Sequence, residues 1–70
     1  MEIGKRVREL REERSLTISE LADQAGLTRN AVSRIELGTR TPSATTVKKL
    51  AKGLRVEPGV LFEAPLAHAR

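Results

Sequence analysis

The sequence has 70 residues, enough for one small domain, and its 13 Lys and Arg residues against 9 Asp and Glu residues give a formal net charge of +4. It contains no cysteine and one histidine, His68, which excludes a disulfide framework and leaves too few ligands for a zinc site. No apolar run approaches the roughly 20 residues of a membrane span, and the N-terminus lacks the apolar stretch of a secretion signal. We therefore expect a soluble cytoplasmic protein without a metal or cofactor.

Two amphipathic helices are predicted in the first half of the chain. The first covers "EIGKRVRELREER", in which apolar residues recur at helical spacing. The second follows Thr17, which forms a capping box with Glu20 three residues later, and it ends at Gly26. The apolar stripes of the two helices are Ile3, Val7 and Leu10, and Leu21, Ala22 and Ala25.

Three further helices are predicted in the second half. The third begins after its N-cap Thr28 and ends at Gly38, the fourth begins after Ser43, and a short fifth helix opens with Pro58. No segment alternates apolar and polar residues with period two, so the prediction is an all-α bundle of five helices. The expected apolar residues of these helices are Ala31, Val32 and Ile35; Ala44, Val47, Leu50, Ala51 and Leu54; and Val60, Leu61 and Phe62.

Helices two and three have the spacing of a helix-turn-helix. Ala22 is small enough for close approach, Gly26 permits a left-handed turn, and Leu27 fills the angle between the two helices. Val32 and Ile35 anchor the third helix from beneath. In this motif the two helices cross at roughly 90 to 120°.

The anchoring leaves a set of polar side chains facing outward from the third helix. A helix fits the major groove of B-DNA, where arginine donates two hydrogen bonds to guanine and asparagine pairs with adenine. Similar residues also form the solvated face of many amphipathic helices, so the spacing alone leaves both interpretations open. The outward-facing residues are Arg29, Asn30, Ser33 and Arg34.

Between Ile3 and Phe62 the sequence resembles the XRE family, the Cro and phage-repressor class of helix-turn-helix proteins. The matching stretches are "IGKRVRELREERSLT", "ELADQAGLTRNAVSRIELGTRTPS" and "TVKKLAKGLRVEPGVLF". The resemblance implies a compact five-helix DNA-binding bundle of the lambda-repressor type over residues 1–63, followed by a short tail at 64–70. It also implies a homodimer that inserts its third helices into successive major grooves of a palindromic operator, about one helical turn (~34 Å) apart.

The resemblance assigns roles to individual residues, in base contact, phosphate contact and structure. Arg11 and Glu36 match a largely buried ion pair that joins the first helix to the third. The base-contacting positions correspond to Arg29, Asn30, Ser33 and Arg34, and the phosphate-contacting positions to Thr17, Thr28, Thr39 and Arg40. The expected dimer surface consists of Val60, Phe62 and Leu66, with Leu61 in the subunit core.

Two positions depart from the family pattern. Ile18 occupies the place of a glutamine that often binds phosphate, and we expect Thr17 and backbone amides to supply that contact instead. The alternatives are a lower affinity, or an Ile18 that is buried or faces a partner. Arg55 occupies the place of a glycine that ends the fourth helix, and because a left-handed arginine costs roughly 1 to 2 kcal/mol, we expect the helix to end early, at Gly53.

The expected function is sequence-specific binding of double-stranded DNA by a transcription regulator, a repressor or autoregulator. A 70-residue chain leaves little room for a sensor domain, so no small-molecule ligand is predicted. The alternative is an antitoxin that covers a toxin and represses its own operon. The sequence supports this only weakly, because about eight residues follow Phe62. An enzyme is not expected, since no residues suggest a nucleophile, a general base or a phosphate-binding loop.

Overall fold

The computed structural model describes residues 3–62, and every regular element in that range is helical. Four α-helices, α1 (Ile3–Glu13), α2 (Ile18–Ala25), α3 (Arg29–Leu37) and α4 (Ala44–Leu54), are followed by a 3₁₀ helix (Pro58–Phe62). The all-α prediction is therefore confirmed. None of the described helices is long and apolar enough to cross a membrane.

The starts of α2, α3 and α4 and the ends of α2 and α3 lie where the capping residues predicted them. Thr17 and Glu20 form the capping box: the Thr17 hydroxyl accepts from the Glu20 amide at 3.0 Å, and the Thr17 amide donates to the Glu20 carboxylate at 2.8 Å. Thr28 and Ser43 also act as N-caps. At the C-termini Gly26 (φ 70°) and Gly38 (φ 81°) adopt the left-handed conformation that favours glycine.

The predicted fifth α-helix is instead a 3₁₀ helix of five residues. Its turn is closed by the Val60 amide, which donates to the Glu57 carbonyl at 2.9 Å, a bond between residues three apart. Such a short segment, which begins with a proline that has no amide hydrogen, uses the tighter geometry to place one side chain in the core. That side chain is Leu61, which is fully buried as predicted.

Helix α4 continues to Leu54, so the expectation that it ends at Gly53 was wrong. Arg55 adopts the left-handed conformation after all, with φ 61° and ψ 44°. The compensation is local, because the next amide, that of Val56, donates to the Ala51 carbonyl at 3.0 Å and the Val56 side chain packs against the core. Together these contacts outweigh the roughly 1 to 2 kcal/mol of backbone strain.

Gly53 has a packing function instead of a terminating one. It is buried in α4, and a Cβ atom added there would lie 3.0 Å from the Cβ of Ala25 and 3.1 Å from a Leu21 methyl group. The glycine therefore allows α4 to approach α2 more closely than any larger residue would permit.

The core lies between the four α-helices and the 3₁₀ helix and is entirely aliphatic. Burial of each large aliphatic side chain stabilises the folded state by about 1.5 to 3 kcal/mol relative to leaving it exposed. Ala44, predicted to be part of the α4 stripe, is exposed because it lies in the first turn, beyond the edge of the core. The fully buried large side chains are Leu21, Ile35, Leu50, Leu54, Leu61, Val7 and Val32.

Gly4, in the first turn of α1, is buried against the end of α3. A Cβ atom at this position would overlap the carbonyl oxygen of Ile35 and lie 3.1 Å from that of Glu36. Both obstacles are backbone atoms, which cannot move aside as a flexible side chain can. Gly4 therefore sets the distance between α1 and α3.

Gly4→Ala is expected to destabilise the domain by about 1 to 3 kcal/mol, because the added methyl group must push the two helices apart. Urea denaturation followed by circular dichroism measures the change. Gly59→Ala is the matched control, since a Cβ there has no neighbour within 4 Å. Equal denaturation midpoints for the two variants would show that the contact between α1 and α3 is not restrictive.

Candidate nucleic-acid interface

An ion pair between Arg11 and Glu36 joins α1 to α3, which also packs into the core through Val32 and Ile35. Arg11 Nε donates to Glu36 Oε2 at 2.7 Å and Arg11 Nη2 donates to Oε1 at 3.0 Å, which is a bidentate arrangement. The two side chains are only 13% and 6% exposed. The hydrogen bond with Glu36 raises the pKa of Arg11 above its ordinary value, in opposition to desolvation, which lowers it.

Arg11 also holds the segment that leads into α2. Its Nη1 atom donates to the Leu16 carbonyl oxygen at 2.8 Å, immediately before the Thr17 cap. One guanidinium group thus joins α1, the start of α2 and α3. The two helices of the helix-turn-helix are consequently fixed by the same side chain.

The outward face of α3 carries the side chains that were predicted to contact bases. Arg29, Asn30 and Arg34 are exposed, and none of these side chains forms a hydrogen bond or ion pair with another residue in the described range. Ser33 is half-buried and therefore less accessible than the other three. Asn30 and Arg34 are one helical turn apart, so they share a face, and Arg29 lies at its edge.

The N-terminus of α3 has free hydrogen-bond donors. Thr28 Oγ1 accepts from the Ala31 amide at 3.1 Å, which leaves the hydroxyl hydrogen of Thr28 able to donate elsewhere. The amides of Arg29 and Asn30, in the first turn, have no carbonyl partner four residues earlier in the helix. An anion at this helix end would meet several donors in one place.

The N-terminus of α2 differs from that of α3, because the Glu20 carboxylate already accepts a hydrogen bond from one of its backbone amides. The Thr17 amide donates to the Glu20 carboxylate, so the free amides at this end are those of Ile18 and Ser19. The Ile18 side chain is partly buried and packs against the core. The structure thus shows a partly buried Ile18, and the expected phosphate contact by Thr17 and backbone amides stays a prediction.

Thr39 and Arg40 follow α3, and they differ in whether their side chains are free to donate to a phosphate. The amide and the hydroxyl of Thr39 lie 3.0 Å and 3.3 Å from the Arg34 carbonyl oxygen and donate to it, so this threonine closes the helix. A phosphate contact by Thr39 would require its hydroxyl to leave that carbonyl. Arg40 is exposed, and its guanidinium group has no partner within residues 3–62.

The residues predicted for a dimer surface are only partly accessible. Phe62 is 53% exposed, whereas Val60 is half-buried and its carbonyl oxygen accepts from Arg6 Nε at 3.2 Å. Leu66 lies outside the described residues. Beside Phe62 lies an apolar groove of about 400 Å³, whose other lining residues are Ile3, Thr41, Pro42, Ala44 and Val47.

Gly4 and Leu37 were missed in the sequence, and Gly53 was given the wrong role, that of a helix end. Gly4 and Gly53 determine helix distances, and a glycine inside a helical pattern is a usable signal, because it costs up to about 1 kcal/mol relative to alanine. Leu37 is 73% exposed on α3. A single apolar residue outside the apolar stripe of a helix adds nothing to a periodic pattern, so nothing in the sequence indicated its exposure.

No cluster of three acidic or histidine side chains suited to a metal ion occurs within 3–62.

The fold is that of known helix-turn-helix proteins. A family described as "Helix-turn-helix" matches residues 7–61, from the centre of α1 through the 3₁₀ helix. The chain belongs to the XRE-type helix-turn-helix family. It therefore has the DNA-binding fold of a group of transcription regulators.

Three relatives illustrate how close this XRE-type domain is to characterised proteins. The HTH-type transcriptional repressor RghR of Bacillus subtilis is 43% identical over 63 residues, which are 87% of this chain and 47% of RghR. The restriction-modification controller protein C.AhdI from Aeromonas hydrophila superimposes with a TM-score of 0.85 at 41% identity, covering 87% of this chain and 92% of that protein. SinR, a master regulator for biofilm formation solved in complex with DNA, gives a TM-score of 0.82 at 32% identity, covering 87% and 98%.

The curated relatives are longer than this chain. The XRE-type domain described here spans 47% of RghR and 39% of the related regulator RghRB. The solved C.AhdI and SinR chains, in contrast, are covered almost completely.

Arg11→Ala is expected to destabilise this domain by about 3 to 5 kcal/mol, because it leaves the Glu36 carboxylate buried without a partner. Urea denaturation of Arg11→Ala measures the loss, and the double variant Arg11→Met, Glu36→Leu should recover most of it, since it removes both charges. Arg8→Ala is the control: its pair with Glu12 is exposed and should contribute at most about 1 kcal/mol. An Arg11→Ala loss as small as that of Arg8→Ala would contradict the anchoring role.

Proposed function

We propose that the chain is a sequence-specific regulator of transcription, a repressor or autoregulator, that binds double-stranded DNA as a homodimer. In this proposal each subunit places α3 in the major groove of one half of a palindromic operator. The observation that supports it most strongly is the combination of an exposed, unpaired cationic and amide face on α3 with a buried ion pair that holds the helix in position. A merely solvated face would need no such anchor.

Base recognition is assigned to the exposed face of α3. The Arg29 and Arg34 guanidinium groups match the two acceptors of a guanine, and the Asn30 carboxamide matches the acceptor and donor of an adenine. None of these groups has to break a contact within the described part of the protein before it binds DNA. Ser33 is close enough to the surface for one additional polar contact.

Phosphate contacts are assigned to groups on either side of this face. The Arg40 guanidinium and the Thr28 hydroxyl are free to donate. So are the first two amides of each helix, those of Ile18 and Ser19 in α2 and of Arg29 and Asn30 in α3. The Thr17 hydroxyl accepts from the Glu20 amide and, like that of Thr28, can still donate, whereas Thr39 contributes mainly as a helix cap, because its amide and hydroxyl both donate to the Arg34 carbonyl. These contacts fix the orientation of the protein on the duplex without reading its sequence.

The small number of base-contacting residues in one subunit favours a dimer. Three or four side chains, each good bidentate contact contributing about 1 to 3 kcal/mol of discrimination, are too few for one subunit to select a site in a genome. The proposed dimer surface contains Val60, Phe62 and Leu66. The exposed Phe62 ring beside an apolar groove supports this choice, since a second copy would cover both.

The experiment that tests the proposal is selection of bound duplexes from a random DNA pool. The expected result is one enriched sequence with two-fold symmetry and half-sites about one helical turn apart. If no sequence is enriched over the starting pool, the protein is not a sequence-specific DNA-binding protein and the proposal is wrong.

Arg29→Ala and Arg40→Ala should have different effects on DNA affinity. Loss of a base contact at Arg29 should weaken binding to the selected site by about 1 to 3 kcal/mol and leave binding to random DNA nearly unchanged. Loss of a phosphate contact at Arg40 should weaken both and reduce the salt-dependence slope by about one. Fluorescence anisotropy at several salt concentrations measures both quantities. Equal losses of Arg29→Ala on both DNAs would assign Arg29 to phosphate.

Phe62→Ala is expected to shift the monomer–dimer equilibrium towards monomer, because it removes the apolar ring at the proposed interface. Sedimentation velocity over a range of concentrations measures this equilibrium. Leu37→Ala is the matched control, since Leu37 is the other large hydrophobic residue exposed within 3–62 and lies on α3. A wild-type protein that sediments as a monomer even on its selected DNA would contradict the dimer.

A further inference from the structure

Leu37 is the most exposed large apolar side chain of the described region, with 73% of its surface accessible. It is the last residue of α3, directly before the left-handed Gly38. The hydrophobic core does not include it, and neither the ion pair nor the helix caps use it. An aliphatic side chain in water at this place therefore has no role in the isolated domain.

The position of Leu37 on α3 places it on the face proposed to read DNA. At 100° per residue, Leu37 lies seven residues and nearly two full turns after Asn30, and one turn after Ser33. Asn30, Arg34 and Leu37 consequently form one stripe along the helix. With a rise of 1.5 Å per residue, the stripe extends ~10 Å, about three base-pair steps of 3.4 Å.

The surroundings of Leu37 favour a polyanion with an apolar group over an apolar protein surface. The exposed cations Arg34 and Arg40 lie on either side of it along the chain. Leu37 also lines a groove of about 180 Å³ with Ile18 and Ser33 and with the charged residues Arg8, Arg11 and Glu36. Ile18 and Leu37 are the aliphatic residues of this groove. Because the Glu36 carboxylate is paired with Arg11, the charge of Arg8 leaves the lining residues net positive beside Leu37.

We propose that Leu37 reads the C5-methyl group of a thymine in each half-site. In the major groove this methyl is the one apolar group that distinguishes a base pair, and an aliphatic side chain recognises it by contact. Leucine can neither donate to a phosphate nor pair with the polar edge of a base. The inference rests on the proposed function, and it adds a specificity residue at the C-terminal end of α3.

The test replaces thymine by uracil, which lacks only this methyl group, one position at a time in the selected duplex. For one thymine in each half-site, replacement by uracil should lower the affinity of the wild-type protein about fourfold. This is the factor expected when one methyl group is lost from an apolar contact. Leu37→Ala should bind thymine and uracil at that position equally, whereas Leu37→Met should retain the preference. Because Leu37 is exposed, neither variant is expected to impair folding, which circular dichroism verifies.

The outcomes separate this inference from the proposed function. Enrichment of a DNA site in the selection, combined with equal affinity for uracil at every position, overturns the role of Leu37 and leaves the regulator intact. A thymine preference that persists in Leu37→Ala also overturns it, because another residue must then contact the methyl group. A Leu37→Ala loss of equal size on random DNA assigns the side chain to the sugar–phosphate backbone instead. If no site is enriched, both proposals are wrong.

Discussion

The structure depends above all on the buried pair between Arg11 and Glu36. A carboxylate with 6% exposure is stable only if its charge and lone pairs are satisfied, and one guanidinium group does this while it also binds the carbonyl before α2. Such a pair adds little net stability compared with two apolar residues. Its effect is geometric, because bidentate hydrogen bonds are directional and restrain how α3 lies relative to α1. An orientation fixed in this way is what base recognition requires.

Close helix approach complements the ion pair. Gly4 allows α1 to touch the backbone at the end of α3, and Gly53 allows α4 to touch α2. In a core without aromatic side chains, short distances between helices are needed to fill the interior, since aliphatic residues are small. The two glycines and the ion pair together restrain both helices of the helix-turn-helix.

The sequence predicted those features that depend on short-range spacing, namely the caps at Thr17 and Thr28, the left-handed turns and most of the apolar stripes. The partner of Arg11 lies 25 residues away, and only the family resemblance suggested it. Local reasoning failed where tertiary packing decides: it ended α4 at Gly53, although core contacts stabilise the strained turn at Arg55. Local reasoning could not reveal that Thr39 uses both donors to close α3, because hydrogen-bond partners are set by the folded geometry.

The capping box at the start of α2 has a consequence for how the protein would search a genome. Glu20 places a carboxylate at a helix end where a DNA phosphate would otherwise meet free amides. In the proposed complex, a phosphate at this end would meet the amides of Ile18 and Ser19 beside the Glu20 carboxylate, so generic attraction would be weaker than at a helix terminus without that anion. Competing genomic sites number in the millions or more. A regulator with reduced background affinity spends less time trapped on irrelevant DNA, and a larger share of its molecules stays available for the operator.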